Sequence, residues 1–388
     1  MAGTNLLQIP GPTNVPRPVL DAIAQPTLDH RGPEFAAIVV RTVAQMRRVI
    51  GTSGQVAIYP ASGTGAWEAA LVNTLSPGDE VLFYETGHFA ERWHAIAGRF
   101  GLKQRTISGD WRHGVDAEAI RQALEADSTQ AIRAVCIVHN ETSTGAVSDV
   151  GAVRRVLDDC AHPALLMVDT ISSLGSMPYD QDALGVDVTI AASQKGLMLP
   201  PGLSFNGIGP RAMEAHQRAS LPRAYWDWTD LLAKIDDGVM PYTPASNLIV
   251  GLDRALGMLL ANQTMTAVFA RHRLLAGMCR ACVTAWGLEF QTIEAHERSD
   301  SLTAIRLPEG ADADALRARI RDDFGVMLGN GLGRLAGRVF RIGHLGDLNE
   351  TMLAGALTAV EVALRRQGIP VRASGLEAAI GYLSQESP

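Results

Sequence analysis

The sequence predicts an α/β protein: a large domain in which helices flank a mainly parallel sheet, and a smaller C-terminal α+β domain. Three observations predict this. Apolar runs alternate with helical-period segments from about residue 34 to 260, long helices and separate strands follow, and 388 residues suffice for two domains. We expect an extended N-terminal segment at 1–18 that contributes to the functional site, a large domain at 19–262 and a small domain at 263–388.

Within the large domain, helical and strand-like segments follow each other in the order that is typical of βαβ units. Helices are expected at 34–50, 65–75, 90–100, 116–126 and 150–161. Strands are expected at 55–59, 80–84, 132–138, 164–168, 186–190 and 203–208. Further along, we expect helices at 248–260, 267–286, 311–324 and 350–367, with strands at 301–307 and 338–342.

Composition argues against several classes of protein. The net charge is −7 and no long basic run occurs, which argues against nucleic-acid binding. No apolar stretch has transmembrane length and no signal-peptide pattern is recognised, so we expect no membrane association and a cytoplasmic location. The four cysteines form no framework of even spacing, which fits a reducing compartment.

An amine and an acid stand at the ends of two predicted strands. Lys195 comes shortly after the strand at 186–190, and Asp169 directly follows the strand at 164–168. Ligands of open α/β sheets bind at such strand ends. A lysine there can react with an aldehyde and an acid can hold a pyridinium nitrogen, which is the pairing that a pyridoxal-phosphate enzyme requires. The alternatives are a solvated lysine and a helix-capping aspartate, but Lys195 lies in a stretch of small, uncharged residues.

A turn of small residues, Ser62-Gly63-Thr64-Gly65, connects the strand at 55–59 to the helix that follows. Its backbone N–H groups and the helix N-terminus could bind a phosphate, although an ordinary strand-to-helix turn has the same appearance. Glu68 stands where a dinucleotide-binding fold would have its third glycine, which argues against that fold.

Other features each admit a functional and a structural interpretation. Phe89 could stack on a planar ring or belong to the core. The polar segment 139–145 follows a strand and could line a site or form a loop. Arg341 lies on an apolar strand and could bind a substrate carboxylate or an internal acid. Cys279-Arg280-Ala281-Cys282 is interpreted as core packing, and no metal site is expected.

Together these features resemble the class V aminotransferases of PLP fold type I, and among them most the serine–glyoxylate and alanine–glyoxylate aminotransferases. The resemblance extends over nearly the whole chain. The segments that carry it are 10–16, 62–65, 139–145, 168–169, 193–195, 242–244 and 340–344.

The resemblance implies a role for each matching residue. Lys195 would bind pyridoxal 5′-phosphate covalently and move the proton between Cα and C4′, while Asp169 would pair with the pyridine nitrogen. The implied cofactor contacts are Ser62, Gly63, Thr64 and Gln194 at the phosphate, Phe89 on the ring, Thr142 near its polar edge, Ile171 beside it, and Tyr242 and Thr243 from the neighbouring subunit. Gly11 and Arg341 would bind the substrate carboxylate. Thr170-Ile171 replaces Gly-Val of many relatives, and Phe89 replaces a tryptophan.

We therefore expect a homodimeric aminotransferase with shared sites that moves the amino group of L-serine to glyoxylate, giving hydroxypyruvate and glycine. Aspartate and alanine are alternative donors, and Arg92 or Arg223 could bind a second carboxylate. A PLP lyase or desulfurase of the same fold is a further alternative, although a desulfurase needs a cysteine on a mobile loop. A nucleotide-binding dehydrogenase would leave Lys195, Asp169 and Arg341 without roles.

Overall fold

A computed structural model describes residues 5–261 and 264–385. Its helices are α1 (Arg17–Ile23), α2 (Pro33–Ile50), α3 (Gly63–Thr74), α4 (His88–Arg99), α5 (Ala117–Glu125), α6 (Val150–Asp159), α7 (Pro210–His216), α8 (Trp228–Leu232), α9 (Ser246–Ala261), α10 (Met265–Trp286), α11 (Ala313–Phe324), α12 (Glu350–Arg366) and α13 (Gly375–Gln385). Its strands are β1 (Leu6–Gln8), β2 (Gln55–Tyr59), β3 (Glu80–Glu85), β4 (Lys103–Ser108), β5 (Ile132–Val138), β6 (Asn140–Glu141), β7 (Ala146–Val147), β8 (Leu165–Asp169), β9 (Val188–Ala192), β10 (Ser204–Ile208), β11 (Glu289–Phe290), β12 (Leu302–Arg306), β13 (Val326–Asn330) and β14 (Val339–Gly343).

A seven-stranded sheet in the order β2-β10-β9-β8-β5-β3-β4 forms the larger part of the molecule. Strand β10 runs antiparallel to both of its neighbours, and the other pairs are parallel. The predicted α/β fold class is confirmed. Strand β4 was not predicted because it alternates exposed and half-buried residues at the sheet edge, where an apolar run is not required.

Helices cover both faces of this sheet, and the residues of β8 show why. Leu165 and Met167 pack with residues of α3, α4 and α7, whereas Leu166 and Val168 point to the opposite face and pack with α5 and α6. Side chains alternate between faces along a strand, so a strand buried on both sides has no polar face and forms a continuous apolar run. The same alternation places Asp169 on the face of Leu165 and Met167, toward α3.

A second sheet, in the order β1-β13-β14-β12-β11, lies in the C-terminal part together with α10 to α13. Strand β1 pairs in parallel with β13, so the N-terminal segment crosses to this sheet before the chain enters α1. Within the segment 1–18 that was expected to be extended, Leu6–Gln8 form the strand β1, whereas α1 already begins at Arg17. The predicted boundary between 262 and 263 lies outside the described residues, as do the first four and last three positions.

None of the helices in the described ranges is both long enough and apolar enough to cross a membrane.

Candidate active site

A cleft of about 340 Å³ lies at the carboxyl ends of β5 and β8. It brings together nine of the residues proposed from the sequence: Ser62, Gly63, Thr64, Phe89, Thr142, Asp169, Ile171, Gln194 and Lys195. Four residues without a predicted cofactor contact also line it: Trp67, Arg92, Val138 and Asn140. The cleft is where a parallel sheet is expected to bind a ligand.

Asp169 ends β8 with its carboxylate held by two donors. Oδ1 accepts the backbone N–H of Ile171 at 2.7 Å, and Oδ2 accepts the indole N–H of Trp67 at 2.8 Å. Burial raises the pKa of the carboxyl to about 7, against the lowering effect of these two hydrogen bonds. A cation placed beside it would restore the ionised form.

Lys195 follows β9 and is 8% exposed. Burial, together with the positive charge of Arg341, lowers the pKa of its amine to about 8. Nζ donates to the carbonyl oxygen of Pro10 at 2.5 Å. Gly11 has φ +106°, a backbone conformation that favours glycine, and a Cβ there would meet the end of the Lys195 side chain. The N-terminal segment therefore packs directly on the amine.

The turn of small residues that the sequence suggests as a phosphate site lies at the start of α3. Ser62 precedes the helix in an extended conformation, and its hydroxyl caps no N–H group of α3 in the described structure. The N–H of Gly65 donates to the carbonyl oxygen of Ser62 at 2.9 Å, whereas the N–H groups of Gly63 and Thr64 are available to an anion, which the helix dipole also favours. Gln194 lies at the same cleft with a buried Oε1 that has no hydrogen-bond partner among the described residues.

Glu141 fixes the start of α4, which carries Phe89. Its fully buried carboxylate accepts the backbone N–H groups of Phe89, Ala90 and Ser143 at 3.4, 3.1 and 3.0 Å, and it also accepts the Ser143 hydroxyl at 2.6 Å. Sequence reasoning selected the segment 139–145 but gave this acid no role. The sequence feature that could have indicated its role is a glutamate inside an otherwise uncharged segment that directly follows a strand.

Polar groups at the end of β5 form a network around Ser172. The amide nitrogen of Asn140 donates to the Ser172 hydroxyl at 2.9 Å, and the Thr142 hydroxyl donates to the same oxygen at 2.8 Å. Asn140 is 2% exposed, and its Oδ1 finds no partner within the described part of the chain. An unpaired buried oxygen facing a cleft is available to a ligand.

Arg341 lies on β14, buried next to the cleft. Its Nε donates to the carbonyl oxygen of Asn330 at 2.8 Å, and Nη1 donates to that of Thr142 at 2.7 Å. No carboxylate of the described residues forms an ion pair with it, and burial lowers the pKa of the guanidinium to about 10. Because Nη2 makes none of these hydrogen bonds, it remains available for an anionic ligand.

The remaining candidates lie elsewhere. Tyr242 stacks on Tyr225 with ring centroids 4.5 Å apart, and neither it nor Thr243 lines the cleft of its own chain. Arg223 donates to the carbonyl oxygens of Val72 and Ala219, both at 3.1 Å, and pairs with Asp227. It thus serves local structure, whereas Arg92 lines the cleft.

The four cysteines are also outside the cleft. Cys136 lies in β5, and Cys279 and Cys282 lie buried in α10. Cys160 was expected inside a helix at 150–161, but α6 ends at Asp159, so Cys160 directly follows it. The sequence-based interpretation of the CxxC segment as core packing agrees with this burial.

The donor set fits pyridoxal phosphate. An open helix N-terminus suits the phosphate, a buried carboxylate suits a protonated ring nitrogen, and a buried amine beside both suits the aldehyde. The half-buried Phe89 and Ile171 supply apolar surface for a ring.

Comparisons with known proteins agree with this geometry. Residues 6–333 match the model of the family Aminotransferase class-V. The chain is 43% identical to the L-aspartate–glyoxylate aminotransferase of Paracoccus denitrificans over 387 residues, covering 99% of this chain and 98% of that protein. It is 42% identical to the serine–glyoxylate aminotransferase of Methylorubrum extorquens over 393 residues, covering 100% and 97%. The crystal structure of pyridoxamine–pyruvate aminotransferase from Mesorhizobium loti superposes with a TM-score of 0.94 at 29% identity, covering 100% and 98%. The chain therefore belongs to the class-V aminotransferases and is a pyridoxal-phosphate-dependent enzyme of that family.

Proposed function

We propose that this enzyme is a glyoxylate aminotransferase that takes the amino group of L-serine, giving hydroxypyruvate and glycine. The observation that carries the proposal is the buried Arg341 guanidinium, which has no carboxylate partner in the described structure. Two backbone carbonyl oxygens and the nearby charge of Glu141 stabilise this cation, but a buried guanidinium without a direct ion pair is still costly. The carboxylate that is common to every amino acid and every 2-oxo acid would form an ion pair with this guanidinium.

Bound pyridoxal phosphate supplies an aldehyde and an electron-accepting ring. The protein's own groups would transfer the protons and hold the cofactor. Lys195, with a pKa lowered to about 8, reaches the neutral form near physiological pH and can accept and return the proton of the donor Cα. Asp169 would keep a proton on the ring nitrogen. The proposed cofactor holders are Ser62, Gly63, Thr64 and Gln194 at the phosphate, Phe89 and Ile171 on the ring, and Thr142 at its polar edge.

Serine is the proposed donor because its small hydroxylated side chain requires no cation beyond Arg341. Aspartate is the second candidate, and a specific observation favours it. Arg92 lines the cleft, and no hydrogen bond or ion pair joins its guanidinium to another residue that the structure describes. A free cation at this position could bind the second carboxylate of a dicarboxylic donor.

Other interpretations have less support. A desulfurase requires a reactive cysteine at the cofactor, and none of the four cysteines lines the cleft. The chain's family is that of aminotransferases, which does not fit a nucleotide-binding dehydrogenase.

We also propose that two subunits share each site, with Tyr242 and Thr243 acting on the partner's cofactor. Three observations support this arrangement. Both residues lie outside the cleft of their own chain, Tyr242 stacks on Tyr225, and Tyr225 and Val239 nearby are each 47% exposed. Exposed large apolar side chains in such a segment are typical of a protein contact.

Half-reaction kinetics test the donor. Purified yellow enzyme is mixed separately with L-serine, L-aspartate and L-alanine, and the loss of its visible absorbance is followed in a stopped-flow instrument. We expect serine to bleach the enzyme fastest and glyoxylate to restore the colour. If none of the three donors bleaches it, or if glyoxylate fails to restore the colour where pyruvate does, the proposed reaction is wrong.

Replacing Arg341 by lysine tests the carboxylate site. Arg341→Lys keeps the positive charge but loses the planar guanidinium, which can form two parallel hydrogen bonds with a carboxylate. We expect KM for the donor and KM for glyoxylate to rise together by roughly 10- to 100-fold, because a hydrogen bond to a charged group contributes about 1.5–3 kcal/mol. Arg271→Lys is the matched control, because Arg271 also binds two backbone carbonyls but lies outside the cleft. Equal KM changes in both variants would contradict the assignment.

Replacing Arg92 separates the two donors. If aspartate is used, Arg92→Gln should lower kcat/KM for aspartate by roughly 10-fold or more through the loss of one charged contact, and it should leave serine unaffected. Arg99→Gln removes the same charge from the other end of α4 and is the control. A parallel loss with serine and aspartate would show that Arg92 does not select the donor.

Mixed dimers test the shared site. We expect Lys195→Ala and Tyr242→Ala enzymes to be severely impaired alone. Their co-expressed mixture should regain roughly a quarter of wild-type activity, because half of the dimers would then contain one intact site. Lys195→Ala mixed with Arg341→Ala is the control, since both residues would serve the site of their own chain and no intact site can form. The absence of recovery in the first mixture would show that Tyr242 acts within its own subunit or not at all.

A further inference from the structure

Trp67 is a buried residue of the cleft that neither the sequence motifs nor the proposed reaction uses. It lies on the second turn of α3 and is 2% exposed. Its indole N–H points to Asp169 Oδ2 at 2.8 Å, while the backbone N–H of Ile171 holds Oδ1. These are the hydrogen bonds that the protein offers to the carboxylate in the described structure.

The indole is held in a fixed orientation from several sides. Trp93 of α4 stacks on it with ring centroids 5.9 Å apart and an interplanar angle of 11°, and Phe83 of β3 packs edge-on against Trp93. The helix itself is tied to the sheet, since the side-chain amide of Asn206 donates to the carbonyl oxygen of Ala66 at 3.2 Å. The position of the Trp67 indole is therefore fixed, and its N–H sets the orientation of the Asp169 carboxylate that accepts from it.

We propose that Trp67 is a positioning residue for the reaction, whose indole N–H aims the Asp169 carboxylate at the ring nitrogen of the cofactor. One rigid helix would then fix the cofactor at two points, the phosphate at Ser62 to Thr64 and, through Trp67, the acid beneath the ring nitrogen. The inference rests on the proposed role of Asp169.

The electrostatic setting explains why a donor is needed. Burial, together with the nearby carboxylate of Glu141, raises the pKa of Asp169 to about 7 against the lowering effect of its two hydrogen bonds and of Lys195. His139, whose backbone N–H binds the carbonyl oxygen of Asp169, has its pKa lowered to about 4 by burial and supplies no positive charge at neutral pH. Removing the indole donor therefore shifts Asp169 toward its neutral form, in which it cannot pair with a ring cation.

The chain offers a matched pair of variants. Trp67 and Trp93 are both buried, and they stack on each other, but Trp93 Nε1 has no hydrogen-bond partner among the described residues. Trp67→Phe removes an indole and a donor to Asp169, whereas Trp93→Phe removes only an indole. Any effect of lost aromatic packing should be common to both variants.

The test is binding of pyridoxamine 5′-phosphate to the full-length enzyme stripped of cofactor, measured by isothermal titration calorimetry between pH 6 and 8. This cofactor form has no aldehyde for Lys195, so the readout is non-covalent. We expect Trp67→Phe to weaken binding roughly 10-fold or more at neutral pH, since a hydrogen bond to a charged group is lost, and Trp93→Phe to bind nearly as wild type. Affinity falls as Asp169 becomes protonated, so the loss on acidification should begin at higher pH in Trp67→Phe.

Equal weakening in the two variants, or a pH dependence that Trp67→Phe leaves unchanged, would overturn the inference while leaving the proposed function intact. If the wild-type protein itself does not bind pyridoxamine 5′-phosphate, the proposed site fails instead.

A second measurement covers the case in which Trp67→Phe does not fold. The chain has six tryptophans, and the indole ¹⁵N–H signals of the wild-type protein can be followed by NMR from pH 6 to 8. We expect one of them to move in step with the pH dependence of cofactor binding. If no indole signal moves in that range, Trp67 does not sense the ionisation of Asp169 and the inference is wrong.

Discussion

The site depends on keeping an acid and an amine out of water at the ends of neighbouring buried strands. Burial is the largest influence on both groups, raising the pKa of Asp169 to about 7 and lowering that of Lys195 to about 8. Each charged form is thereby made costly by the protein alone. A cation beside the acid would restore its ionised form, and the neutral form of the amine is the one that would react with an aldehyde, so the two groups suit pyridoxal phosphate.

This burial is produced by elements that are far apart in sequence. Strand β1 belongs to the C-terminal sheet, and from there the chain returns across Lys195 through Pro10 and Gly11. Arg341 reaches the cleft from β14 and binds the carbonyl oxygen of Thr142 at the end of β5. The second sheet therefore borders the cleft, and the substrate carboxylate would be bound where the two sheets meet.

Much of the fold and part of the site could be predicted from local sequence. The apolar runs of β5, β8 and β9 are recognisable because both faces of those strands are buried, and Asp169 and Lys195 are prominent as polar groups that end such runs. The edge strand β4 lacks this signal because one side of it faces solvent. Glu141 was missed although its segment was selected, because its partners are backbone N–H groups of α4, which no residue pattern reveals.

The sequence by itself determined the alternation of strands and helices, the turn of small residues before α3, and the placement of an acid and an amine at the ends of apolar runs, because each of these depends on residues that are close together along the chain. Only the tertiary structure decided where these cations lie: Arg92 lines the cleft, Arg223 is bound to backbone carbonyls, and Arg341 is buried beside the cleft without a direct ion pair in the described structure. It alone also joined Trp67 to Asp169, residues 102 positions apart. Such choices follow from which faces of separate elements pack together, and that packing is set by the whole chain.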